Sequence, residues 1–65
     1  MKSDLVDISV RVVRDNPRDL AVLVEFNGAK CWLPRSQIEI EYKDRHKLFA
    51  VVTLPEWLAI EKELV

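Results

Sequence analysis

Glycine, cysteine and histidine occur once each in these 65 residues, and aromatic residues make up only 8% of the chain. Each scarcity excludes something. A phosphate-cradling loop needs several residues whose bare backbone can approach an anion, and the one glycine, Gly28, is taken up by a turn after Asn27. One cysteine precludes an intramolecular disulfide, and a lone thiol fits a reducing compartment. A single histidine with no cysteine near it in sequence supplies no metal-ligand spacing. Neither sign of charge dominates: ten Lys and Arg face eleven Asp and Glu, a net of -1, so composition lends nothing to a polyanion binder. The longest apolar run, Leu48 to Leu54, is far short of the roughly 20 residues that cross a bilayer. Met1-Lys2-Ser3-Asp4 leads straight into alternating residues without the apolar stretch of a signal peptide, which predicts a cytoplasmic protein with no membrane partner.

What is present is apolar content of 49% in a chain of one-domain size, residues 1–65. A chain this short buries only about 60% of the surface its unfolded form exposes, so its core is small. The periodicity is mostly two. Val6, Ile8, Val10 and Val12 alternate with Asp7, Ser9 and Arg11, which predicts a half-buried strand over residues 5–14. Asp15-Asn16-Pro17-Arg18-Asp19 breaks it with turn-forming residues. Strands over 20–26 and 29–33 flank Asn27-Gly28, the dipeptide a type I′ hairpin turn requires. Ile38 and Ile40 alternate with Glu39 and Glu41 in a strand over 37–42, and a charged turn, Lys43 to Lys47, leads to a last strand over 48–52.

The period then changes. Leu54, Trp57, Leu58 and Leu64 sit at helical spacing, predicting a helix over 54–64. Thr53 and Glu56 fit a capping box, and Trp57 is the expected docking anchor. The expected fold is mainly β with one C-terminal α-helix: about five strands in a small curved antiparallel sheet or partial barrel of SH3-like or OB-like character. Residues 20–26 and 48–52 are apolar on both faces, more than one small core hides, so a second copy of the chain is the natural cover and a homodimer is expected.

Candidate chemistry is thin. His46 lies between Arg45 and Lys47 with no partner base in reach of the sequence, and reads as a solvated loop residue. Cys31, beside Trp32, reads as a small apolar strand residue, because only Lys30 is near enough in sequence to lower a thiol pKa. Glu39 and Glu41 share a strand face but nothing in the sequence separates their environments, as paired acid–base work requires. The expectation is a non-enzyme with no cofactor and no metal. Two binding surfaces remain. One is acidic, Glu25, Glu39 and Glu41 on neighbouring strands, with Trp32 as an apolar anchor for a protein partner. The other is basic, Arg35, Lys43, Arg45 and Lys47, with Trp32 and Tyr42 as stacking aromatics for single-stranded nucleic acid. The balanced charge favours the protein partner, with nucleic-acid binding or a structural homodimer within a larger assembly as the alternatives.

Two stretches carry a resemblance. Ala21-Val22-Leu23-Val24-Glu25-Phe26-Asn27-Gly28 with Cys31-Trp32-Leu33-Pro34-Arg35-Ser36-Gln37-Ile38 is similar to a segment of small uncharacterised bacteriophage and prophage proteins, and Val52-Thr53-Leu54-Pro55-Glu56-Trp57-Leu58-Ala59 resembles their usual close. Together the two cover about half the chain, in the same order. In those proteins a glycine usually stands where Glu63 stands here, and the replacement is expected to extend the helix towards Val65. The resemblance implies an accessory protein of a phage or prophage that binds a host or phage protein, with inhibition of host defence, in the manner of an anti-CRISPR, as one such role. It carries no catalytic or ligand residues to transfer.

Overall fold

The computed structural model describes residues 4–64; Met1 to Ser3, the start of the segment read for targeting, and Val65, towards which the helix was expected to extend, lie outside. The chain forms five antiparallel strands in one open, curled sheet with a single short C-terminal helix. These are β1 (Leu5–Arg14), β2 (Ala21–Phe26), β3 (Ala29–Pro34), β4 (Glu39–Tyr42), β5 (Phe49–Pro55) and α1 (Glu56–Glu61), in spatial order β3-β2-β1-β5-β4.

β1 is central and is shared by two half-sheets. Its whole length up to Arg11 pairs with β5, from Leu5 opposite Pro55 to Arg11 opposite Phe49. β2 pairs only with the other end, from Arg11 opposite Glu25 to Arg14 opposite Leu23. The register slips between Val12 and Arg14. A bulge of this kind bends its strand and increases the twist, and here it curls the sheet around its inner face. The hairpin at Asn27-Gly28 forms as the dipeptide requires, with φ of 52° and 80°.

Alternation puts Ile8, Val10, Val12, Val22, Val24, Leu33, Ala50, Val52 and Leu54 on the inner face, where all are buried. Leu58, Ala59 and Leu64 from the C-terminal segment complete this core, with Val6, Phe26, Cys31, Ile38, Ile40 and Tyr42 packed at its margin.

Several local expectations are corrected. The strand expected from Gln37 begins two residues later, at Glu39, because Gln37 closes a 3₁₀ turn over residues 35–37. β5 runs on to Pro55 because Thr53, Leu54 and Pro55 stay paired with Asp7, Val6 and Leu5. The helix therefore starts later, and no capping box forms: Pro55 holds the N-cap position without a side-chain bond, while the Thr53 hydroxyl donates to Asp7 Oδ1 at 2.6 Å. Ladder pairing along three residues outweighs one capping bond. Trp57 does not anchor the helix; it is 54% exposed, and the shorter helix buries Leu58 and Ala59 instead.

A further correction concerns Glu63. It does not extend the helix but ends it, at a left-handed φ of 59°. Leu64 N–H donates to Ala59 O at 2.8 Å and Glu63 N–H donates to Ile60 O at 3.1 Å, the paired bonds of a Schellman cap. That cap folds Leu64 back into the core beside Ala59. A glycine is the favoured residue at this position, so Glu63 occupies a conformation built for the residue it replaces.

Candidate functional site

The sheet separates the acidic residues. Glu25 is on β2 and Glu39 and Glu41 are on β4, with β1 and β5 lying between these two strands, so the expected row on neighbouring strands does not exist. Glu25 sits across from Arg11 on one side and Lys30 on the other, and Arg11 Nη1 lies 3.2 Å from its carboxylate. Glu39 and Glu41 face outward on the edge strand β4, opposite Thr53 and Val51 of β5. Glu41 has Lys43 Nζ at 3.6 Å as an exposed and therefore weak partner.

The basic set disperses as well. Arg35 is half-buried and turned inward: its Nε donates to Asp19 O at 2.8 Å and its Nη2 to Asn16 O at 2.8 Å, and it also donates to the Asp15 carboxylate. Tyr42 points to the inner face and its hydroxyl donates to the other Asp15 oxygen, so it is no stacking platform. Lys47 folds over the Tyr42 ring at 5.6 Å from its centre, a cation–π contact rather than a free charge. Lys43 and Arg45 stay exposed, but Tyr42 is turned inward and Trp32 stands on the opposite edge strand. The charged turn itself is ordered by Asp44, whose carboxylate accepts from Leu48 N–H at 3.0 Å and Phe49 N–H at 3.1 Å.

Sequence reading missed the residue on which this end of the molecule turns. Asp15 joins Arg35, just beyond β3, to Tyr42 on β4, and so ties together the two edge strands that the open sheet leaves apart. Its only sequence signal is its place in the Asp-Asn-Pro turn. Asn16 shapes that turn locally, its side-chain oxygen accepting from Arg18 N–H at 3.0 Å.

Trp32 holds the expected outward position. It lies on edge strand β3 opposite Leu23 and is 46% exposed. Between the two halves, Arg11, Lys43 and Phe49 on one side and Glu25, Phe26 and Asn27 on the other border an open groove of about 360 Å³. Cys31 faces inward; burial pushes its thiol pKa above the ordinary value, with Lys62 pulling partly the other way, which leaves it a protonated thiol rather than a nucleophile at neutral pH. Among the described residues no three His, Cys, Asp or Glu side chains gather as a metal-ligand group, and no helix is long and apolar enough to cross a membrane. Comparison with family models, with curated proteins and with solved structures gives no match to this chain.

Proposed function

We propose that this chain is a non-enzymatic binding module that meets a protein partner through the Trp32 surface of the β2–β3 hairpin. The observation that carries the reading is the exposure of Trp32 beside Leu23 on an edge strand, where a large aromatic has no role in the chain's own core. Tryptophan is the residue type most enriched among those that dominate binding energy, and an edge strand offers unpaired backbone groups alongside it. Inward use of Arg35 and Tyr42 speaks for a protein partner over a nucleic acid, because it dismantles the basic and aromatic groove that single strands require. The resemblance to phage and prophage proteins supports an accessory role in a bacterial host, with a component of host defence as one class of partner.

The test is capture on the immobilised chain from nuclease-treated bacterial lysate, run in parallel with Trp32→Ala. Retention of one protein by the native chain and its loss on W32A is the expected result, together with no binding of single-stranded DNA or RNA at low salt. Nucleic-acid binding that falls steeply with salt, survives W32A and is lost when Lys43 and Arg45 become alanine would overturn the proposal.

A further inference from the structure

We propose that the outer face of the β1–β5–β4 half-sheet is a weak self-association surface, and that its occupant is a second copy of this chain turned end for end. The pattern of charge along the strands carries the argument. Outward positions on β1 run Asp7, Ser9, Arg11, and those on β4 and the residue after it run Glu39, Glu41, Lys43. Lys43 continues the β4 ladder, its N–H donating to Phe49 O at 2.9 Å, so it belongs to the same face. Ser9, Val51 and Glu41 form one cross-strand row. Both flanking columns are acidic on one side of that row and basic on the other.

A twofold axis along the row, in the plane of the face, exchanges the two sides. Asp7 of each copy then meets Arg11 of the other, Glu39 meets Lys43, and Val51 packs on itself at the centre. Every charged contact occurs twice; Arg11 is shared with Glu25 of its own chain at 3.2 Å, so the Glu39–Lys43 contacts carry most of the charge complementarity. Glu41 falls on the axis against its own copy, where Lys43 at 3.6 Å offsets the repulsion. The half-sheet face measures about 14 by 24 Å, from strand spacing and rise, which is below the size of a stable interface and puts association in the high micromolar to millimolar range. Trp32 lies on the other half-sheet and stays free, so this inference stands or falls apart from the partner proposed above.

Analytical ultracentrifugation of the whole chain, at concentrations up to about 1 mM and in low and roughly 0.5 M salt, tests it. The native chain is expected to dimerise reversibly, about tenfold more weakly in high salt. Glu39→Lys and Lys43→Glu are each expected to weaken the dimer about tenfold, because each puts like charges together twice. An equimolar mixture of the two variants should then recover association, since at positions 39 and 43 one chain carries only basic and the other only acidic residues. Circular dichroism checks the fold of each, and where a reversal unfolds the chain, the neutral E39Q and K43Q carry the same comparison with a smaller loss. A monomer at the highest concentration in low salt, a dimer indifferent to the substitutions, or a mixture no stronger than its components would overturn the proposal.

Discussion

The two half-sheets that share β1 use their charges in opposite ways. In the β1–β2–β3 half, charged groups find partners within the chain: Arg11 meets Glu25, Arg14 Nε meets Asp19 at 2.9 Å, and Arg35 meets Asp15. What remains on its outer face is Trp32 and Leu23, with Lys30 opposite Glu25. In the β1–β5–β4 half, Glu39 and Glu41 project from an edge strand and Lys43 stands beside them, joined only by an exposed contact. One half has therefore spent its polar groups on holding its own loops and offers an aromatic surface, while the other offers a charge pattern. Net charge, near zero in sequence, says nothing about this division.

The largest effect is expected where the first half meets the core. Leu33 is fully buried and pairs with Val22 at the centre of the β2–β3 hairpin. Leu33→Ala removes about 3 kcal/mol of stability by lost transfer and by the cavity left behind. Its neighbour in the strand, Trp32, points the opposite way, and Trp32→Ala should change stability by no more than about 0.5 kcal/mol. Urea unfolding of the two variants checks the contrast. Similar losses for both would mean that the outer aromatic is part of the fold, and the division between the faces would fail.

Next in size is the joint between the halves. Asp15 accepts from both Arg35 and Tyr42, and all three are partly shielded from water. Asp15→Ala removes the carboxylate from the hydroxyl and from a guanidinium left with only the Asp19 and Asn16 carbonyls, for a loss of about 2 kcal/mol, and Tyr42→Phe, removing one neutral donor, loses about 1 kcal/mol. Because the two share one carboxylate, the double variant should be less destabilised than the sum, and a double-mutant cycle in urea reads the coupling. Strict additivity would show that the latch does not operate in solution.

This joint also marks the limit of what the chain's sequence discloses. β1 was legible residue for residue, and the hairpin at Asn27-Gly28 to within one residue at each outer end, because strand alternation and the positive-φ turn are local signals. The inner core follows from the same alternation. Arg35 was misread because its partners lie 16 to 20 residues away, across a loop whose course depends on the β1 bulge. Glu25 was grouped with Glu39 and Glu41 because sequence order suggested adjacency, whereas β1 and β5 intervene. Trp57 was assigned to the core by size; the extra pairing of Thr53 to Pro55 with β1 delays the helix and sets Leu58 and Ala59 inward. Local pattern specifies faces here, and long-range pairing decides which charges remain free.

A smaller effect, and of opposite sign, is expected at the helix end. Glu63 holds a φ of 59° in the Schellman cap that returns Leu64 to the core. Left-handed geometry costs a side-chain-bearing residue about 1 kcal/mol, and glycine's greater freedom in the unfolded chain gives back part of that. Glu63→Gly should thus stabilise the protein by about 0.5 kcal/mol, and Glu63→Ala should not. Thermal unfolding distinguishes them. Equal behaviour of glycine and alanine would mean that the chain does not turn left-handed here, and that the helix continues as its spacing suggests.

The smallest effect is on pH dependence and lies at Cys31, where β3 of the first half faces the helix end. Burial raises its thiol pKa and the Lys62 charge pulls it partly down. An acid whose pKa is raised by folding keeps its full contribution below the unfolded thiol value. It loses that contribution as pH climbs through the folded value, because the unfolded chain ionises first. Stability should therefore decline slightly on the alkaline side of the ordinary thiol range and be unaffected at neutral pH. Alkylation by iodoacetamide reports the same proton directly: its rate should rise at higher pH than for a free cysteine, and Lys62→Gln should move the rise higher still. A rate profile matching that of a free thiol would place Cys31 in water. In that case the first half would not close on the helix at all, and its contrast with the open, charge-bearing half would rest on the Asp15 joint alone.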